Sequence, residues 1–375
     1  MQFSDINGLE EVKKTLIQSV SKGHVAHAQL FMSSPGNANL PLALAFATYV
    51  SCTDQQENDS CGKCPSCVKM KKFIHPDLHF IFPTATTKKI TKNKDAISQA
   101  FLPDWREFLT ESPYRTLPEW AFYFGAENKQ CTISKEESLN IIRSLSLKAF
   151  EGEFKIMMVW LPELMHPSAA NAILKILEEP PPKTLFFLVT NHSEQLLTTI
   201  LSRTQAVKVR DFHDAELKSI LTEKYSIPEE KAGHISYLAE GNMNTALRLI
   251  TDHQDNSTEY FKEWMRICFR NDYTSMVDFA EEFQKMGKEA QKSLFQYALG
   301  ITRESMAWQF AEEKLVRLED KELEFVKNFS KVLTPQRFEY MTKYFNESIR
   351  FVERNANPKI LFMNLSLQMG KLFKI

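Results

Sequence analysis

Residues 156–161, Ile-Met-Met-Val-Trp-Leu, form an unbroken apolar run that reads as a strand covered on both faces, the kind found inside parallel sheets. Such a strand needs partners of its own kind and helices on either side. The chain supplies both in alternation: residues 28–32, 78–82, 185–190 and 206–209 read as further strands. Asn7 is placed to cap a helix over Leu9, Val12, Leu16, Ile17 and Val20 that ends at Gly23. Ser134 is placed to cap another over Leu139, Ile142, Leu145 and Leu147. Ser168 caps a third over 169–179, which Pro180-Pro181-Pro182 stops. Only 11 of 375 residues are glycine, which disfavours a fold of many tight turns. Residues 1–210 are expected to form a doubly wound α/β domain.

The first strand runs into Ser33-Ser34-Pro35-Gly36-Asn37-Ala38-Asn39, and a helix starts near Pro41. Strand, loop and helix in that order cradle phosphate on backbone N–H groups. A working phosphate loop, G-x-x-x-x-G-K-[ST], also needs a lysine for the β/γ-phosphates and a hydroxyl for Mg²⁺. Aligned on Pro35-Gly36, this chain has Ser33 and Ala38 at the glycines, Asn39 for the lysine and Leu40 for the hydroxyl. The strand at 156–159 should end in an acidic pair that holds the metal; Trp160 and Leu161 stand there. The two losses are independent and point to a nucleotide-binding fold that does not hydrolyse ATP.

Four of the six cysteines, Cys52, Cys61, Cys64 and Cys67, fall within sixteen residues, with Gly62 and Pro65 turning the chain between them. That spacing suits a tetrahedral Zn²⁺ held by four thiolates at about 2.3 Å, a closed and therefore structural site. His75 and His79 lie just downstream and are read as a turn entering a strand, and Cys131 and Cys268 as small core residues. Residues 84–130 show no clean period and read as an irregular insertion. The stretch Lys63, Lys69, Lys71, Lys72, Lys88, Lys89, Lys92 and Lys94 contains one acid, Asp77, and reads as a solvated face rather than a DNA contact.

Beyond Asp211 strand signals cease. Short helices follow, one at 244–250 after Gly241, and 256–375 reads as helical throughout, with Pro335 and Pro358 at helix starts and a stripe of Phe283, Met286, Leu294, Tyr297, Ile301 and Met306. A balance of 46 basic against 47 acidic residues excludes a basic DNA coat, and 43% hydrophobic residues exclude a disordered chain. No apolar run approaches the roughly 18–20 residues of a membrane span. The acid near the N-terminus, Asp5, argues against a signal peptide, so a cytoplasmic location is expected.

Asn171-Ala172-Ile173-Leu174-Lys175-Ile176-Leu177-Glu178-Glu179-Pro180-Pro181, followed by a strand and then Ile200-Leu201-Ser202-Arg203, resembles the AAA+ subunits of bacterial clamp loaders. The cysteine knuckle inserted after a degenerate loop adds to the resemblance, which runs on to Asn355-Ala356-Asn357-Pro358-Lys359. It implies an AAA+ α/β module over 1–210, a small helical lid over 211–254 and an all-α collar over 255–375. It also implies a non-hydrolysing end member of the DNA polymerase III clamp loader, a ring of five AAA+ units that loads a sliding clamp onto primed DNA in replication. The implied setting is a hetero-oligomer with no membrane: ATPase subunits and a delta subunit as partners, the clamp met indirectly, primed DNA within the complex. The chain would then be an accessory subunit of a DNA-directed DNA polymerase complex.

Ser202 and Arg203 match a Ser-Arg-Cys motif whose arginine enters the neighbouring subunit's nucleotide site; Thr204 replaces the cysteine. The lid arginine of active members falls at Asn244, and Thr190 or Asn191 stands where they keep a polar sensor. Two other readings compete: an active ATPase with a diverged loop, and a zinc-knuckle nucleic-acid-binding adaptor.

Overall fold

The apolar runs pair as one all-parallel sheet in the order β2-β3-β4-β1-β5, formed by β1 (Ala28–Met32), β2 (Leu78–Ile81), β3 (Lys155–Trp160), β4 (Thr184–Thr190) and β5 (Gln205–Lys208). In register, Leu30 faces Leu188 and Met32 faces Thr190, while Val159 of β3 also pairs with Leu188. The computed structural model describes residues 1–127, 129–146, 149–251, 256–310 and 320–374. Two units emerge from it, one of Met1–Ala232 with Ala239–Leu247, the other of Gly233–Leu238 with Arg248–Ile375.

In the first unit α1 (Glu10–Ser21), α2 (Asn39–Ser51), α3 (Pro65–Lys71), α4 (Leu102–Glu111), α5 (Leu117–Tyr123), α6 (Glu137–Ser146), α7 (Pro167–Glu178), α8 (Thr198–Leu201) and α9 (Asp214–Tyr225) flank or extend the sheet. α10 (Glu229–Ala239) and α11 (Met243–Thr251) follow. Strand residues alternate between two cores, as the two-residue period of a strand requires. Phe31 and Phe187 meet Phe46 of α2 on one face, with Phe46 and Phe187 centroids 5.2 Å apart. Leu30, Met157, Val159, Phe186 and Leu188 pack with Ile173 and Leu177 of α7 on the other. Every residue of α2 is buried.

Several local expectations need correction. Asn7 does not cap α1: Gly8 (φ +78°) and Leu9 (φ 58°) turn the chain, and Leu9 is the cap. Ser168 is not the cap of α7, which begins two residues earlier with Pro167 at its first position and His166 accepting the Ser168 N–H at 3.2 Å. α6 is rotated relative to its apolar pattern. Among its described side chains Ile141 and Glu137 are buried and Leu139 and Ile142 are at least half exposed; the Leu145 side chain and Leu147 lie outside what is described. The inward Glu137 carboxylate takes the Ser98 backbone N–H, which fixes that rotation.

The insertion is not irregular throughout. Trp105 and Phe108 of α4 and Trp120 of α5 build an aromatic cluster with Phe82 and Trp160, and Trp105 lies 4.3 Å from Phe82 and 5.0 Å from Trp160 between ring centroids. Aromatic area of this kind drives burial that a weak period does not disclose. Its lysine-rich start stays irregular, with a short turn at Asn93–Asp95, as do the described residues that follow α5 up to 130.

The second unit is helical among its described residues: α12 (Asn256–Arg270), α13 (Tyr273–Lys285), α14 (Lys288–Phe310), α15 (Asp320–Ser330), α16 (Pro335–Glu353) and α17 (Pro358–Leu372). Pro335 and Pro358 do open their helices, after Thr334 and Asn357 caps. Trp264 stacks on Phe362 at 4.5 Å and donates its indole N–H to Ser366 Oγ at 2.8 Å. Phe283, Leu294, Tyr297 and Ile301 join this core, whereas Met306 is exposed. The anticipated 254/255 boundary lies outside the described residues.

One carboxylate ties the start of α1 to α9. Glu216 accepts from both Arg210 guanidinium nitrogens (2.7 and 2.9 Å), from His213 N at 2.8 Å and from Leu9 N at 3.3 Å. The Arg210 bonds hold its carboxyl well down, at about 2. A depressed carboxyl stabilises the fold above its ordinary value of 4.5 and loses that contribution as pH falls toward 2. Glu216→Gln is expected to lower stability at pH 7 by about 1 kcal/mol. It should also make urea midpoints fall less steeply than wild type between pH 4.5 and 2; parallel curves would refute this role.

Candidate functional site

The loop between β1 and α2 sits at the carboxyl end of a central strand, where open α/β sheets bind ligands. Here the loop's polar groups are met by the chain itself. Gly36 (φ +85°) gives its carbonyl to Asn244 N at 2.9 Å, and Pro35 O accepts Asn242 Nδ2 at 2.7 Å. A Cβ on Gly36 would lie 2.7 Å from Asn244 Cβ, so the lid segment closes directly on the loop. Asn37 Oδ1 accepts Met243 N at 3.1 Å, while its Nδ2 donates to Asp211 at 2.6 Å. Ser34 Oγ donates to the same carboxylate oxygen at 2.6 Å. Ser33 is near the rim, with no hydrogen bond to its buried hydroxyl among the described residues.

Asn39, at the lysine position, is buried and donates to Thr190 O and Asn191 Oδ1, both at 3.0 Å. Its side chain is committed to β4 and does not reach outward as a phosphate-binding lysine would. Glu163, three residues past Trp160, accepts Thr190 Oγ1 at 2.8 Å and Asn191 N at 3.0 Å, so the sensor positions serve local hydrogen bonds. Asn244 Nδ2 donates to both Glu119 oxygens at 3.0 and 3.2 Å. The insertion therefore supplies a carboxylate beside the loop. Glu119, Asp211, Glu163 and Asn242 were invisible as site residues because 27 to 207 residues separate them from their partners. Only Glu119 carried a signal: Thr116 and Glu119 form a capping box, which announces a helix start and not a site.

Arg203 lies in the same unit, two residues after the end of α8. Its Nη2 donates to Glu178 Oε1 at 2.6 Å, and its Nη1 to Thr199 O at 3.0 Å and Ser202 Oγ at 3.4 Å. Ser202 Oγ donates to Thr199 O at 3.2 Å, and Thr204 Oγ1 to Ile200 O at 3.1 Å. Thr204 thus back-bonds its own helix and leaves the arginine untouched.

The four cysteines converge as the spacing foretold. The Sγ atoms of Cys52, Cys61, Cys64 and Cys67 all lie within 4.8 Å of one another, a group that could hold a metal ion. Tetrahedral thiolates at about 2.3 Å would sit about 3.8 Å apart, and Cys61 and Cys67 sulfurs are 4.0 Å apart. Backbone N–H groups of Cys61, Cys64 and Cys67 point at the sulfurs of Cys52, Cys61 and Cys64 (3.3 to 3.4 Å), a donor set that favours thiolate. Burial pushes the Cys52 and Cys67 thiols up, so the cluster holds charge best against a cation.

The two histidines stay out of the cluster. His75 is buried, which lowers its pKa, and its Nδ1 accepts the Asp77 N–H at 3.2 Å. Burial works to raise the Asp77 carboxyl, but bonds from Phe150, Glu151 and Gly152 N–H outweigh it and hold it low. Cys131 and Cys268 are buried core residues, as expected. Of the lysine stretch, Lys69 pairs with Glu151 at 2.5 Å, and Lys63, Lys71, Lys72, Lys88, Lys89, Lys92 and Lys94 are exposed.

A parallel five-stranded sheet with flanking helices and a helical C-terminal region define an AAA+ subunit. A family model described as "DNA polymerase III, delta subunit" matches residues 8–213, more than half the chain, and the chain belongs to this family. DNA polymerase III subunit delta' of Yersinia pestis is 31% identical over 49% of this chain and 41% of its own length. The delta' subunit of Bacillus subtilis is 24% identical over 60% and 54%. The tau subunit of Salmonella typhimurium is 26% identical over 66% and 32%. The chain thus spans about half the length, or less, of these relatives. Among solved structures, a gamma subunit-related protein of Thermotoga maritima aligns over 96% of this chain and 99% of its own at 14% identity and a TM-score of 0.37. No helix among the described residues is long and apolar enough to cross a membrane.

The filled loop makes a checkable claim. Asn244→Ala removes only the amide that holds Glu119, leaving the Asn244 N–H on Gly36 O. Losing a hydrogen bond to a carboxylate should raise native-state exchange of that N–H by about tenfold, or about 1.4 kcal/mol. Exchange unchanged by the substitution would mean that Glu119 does not secure the lid.

Proposed function

We propose that this chain is the non-hydrolysing delta-prime member of a DNA polymerase III clamp loader and that it donates Arg203 to the nucleotide site of a neighbouring ATPase subunit. The observation that carries the reading is a contrast within one unit: the chain's own phosphate loop is filled by Asn242, Asn244 and Asp211, while the Arg203 side chain stays partly exposed. In such a partner site water attacks the γ-phosphorus and the bond to the β,γ-bridging oxygen breaks, releasing ADP and phosphate. A planar guanidinium pairs with the oxygens on which charge grows. The partners on this reading are ATPase and delta subunits, with clamp and primed DNA engaged through the complex in the cytoplasm.

Reconstitution with ATPase subunits, delta, clamp and primed DNA tests this. Arg203→Ala is expected to leave assembly intact by gel filtration and to slow hydrolysis at the site it serves by on the order of 10³. Full activity of the variant would overturn the reading.

The cysteine cluster is read as a structural zinc site with no open coordination position, Cys52, Cys61, Cys64 and Cys67 being the ligands. Bound zinc would supply folding energy to the segment between α2 and α3 and no chemistry. Metal analysis of the purified chain should find about one zinc, lost together with several degrees of Tm in Cys64→Ser. A metal-free wild type with the same Tm would remove zinc from the account.

A further inference from the structure

Arg203 is not left to search for its target. Its fork is gripped on two sides, by the backbone carbonyl of Thr199 at 3.0 Å and by Glu178 Oε1 at 2.6 Å. Glu178 comes from a different helix, 25 residues earlier. Two features of Glu178 are unexplained by stability. It is the last residue of α7, where the helix dipole disfavours a negative charge. Its pairing with Arg203 is also half open to water, with side-chain exposures of 51% and 34%, and such exposed pairs stabilise folds little.

The pairing does have a geometric effect. The two grips engage Nη1 and one Nη2 hydrogen, so Nε–H and the second Nη2–H have no partner among the described residues and remain for an oxyanion. A long side chain held in one rotamer loses less freedom when it engages phosphate.

We propose that Glu178 is a positioning residue: it holds the Arg203 guanidinium ready for the neighbouring subunit's nucleotide. The proposal rests on the reading of Arg203 given above. Glu178 acts through the arginine and touches no substrate, so its removal affects the rate at saturating ATP and not ATP binding.

The test compares wild type, Glu178→Ala, Glu178→Gln, Arg203→Ala and the Glu178→Ala/Arg203→Ala double variant in the reconstituted loader, each checked for assembly. Glu178→Ala is expected to lower kcat about tenfold with KM within about twofold. Glu178→Gln keeps an oxygen that accepts from Nη2 and should recover at least half of the wild-type rate. The double variant should be no slower than Arg203→Ala alone, since both changes act through one group. A wild-type rate in Glu178→Ala alongside a slow Arg203→Ala would overturn positioning and leave the arginine's role standing. A faster Glu178→Ala would make the carboxylate a brake and equally refute the proposal. An added loss in the double variant would mean that Glu178 acts elsewhere. A normal rate in Arg203→Ala would instead fail the underlying reading, separating the two.

Discussion

The α/β unit depends on the complete burial of the helix that follows its first strand. With every residue of α2 buried, the helix has no solvated face on which to adjust, and its first turn is the phosphate loop. Whatever stands at position 39 must satisfy its polar atoms inside the protein. Asn39 does so with Thr190 and Asn191. A lysine there would be a buried charge needing a phosphate as counter-ion, and without one it would be unpaired at a cost of several kcal/mol. Loss of the lysine and closure of the loop are therefore two sides of one arrangement. The neighbouring carboxylates of Asp211 and Glu119 fit it, since acidic groups beside a working phosphate loop would repel its ligand.

The same burial gives the cysteine cluster a structural purpose. Cys52 follows directly on the last residue of α2, and Cys67 lies inside α3, so a metal ion held by the four sulfurs would fasten the exit of the buried helix to the next element. The intervening turn is held from outside as well, Asp59 accepting the N–H groups of Phe3 and Ser4 and Ser60 O accepting from Gln2.

Much of the unit was legible from the chain alone. β1 matches its expected bounds, β3 and β5 shift by one residue, β4 starts one residue earlier and β2 ends one residue earlier, because uninterrupted apolar runs beside turn residues leave few alternatives. The missing lysine and acidic pair, the four-cysteine spacing and the Ser202-Arg203 pair were equally visible. Three things were not. The Leu9 cap of α1 depended on a left-handed backbone turn, and the start of α7 on a His166 side chain that is not among the usual capping residues. The face of α6 was misjudged because one polar contact, Glu137 to Ser98, outweighed the apolar pattern. The insertion looked shapeless because its aromatic residues pack on Phe82 and Trp160 rather than along one regular stripe.

Sequence by itself determined which groups the chain lacks and which it carries. Absent ligands and clustered thiols are properties of residue type and spacing, and they need no coordinates to be read. Only the tertiary structure decided what replaced the missing groups. Asn242 and Asn244 from the lid, Glu119 from the insertion and Glu178 beside Arg203 all act across long stretches of chain. Their partnerships arise when the sheet and its crossover helices bring distant segments together, and no local period or motif encodes that meeting.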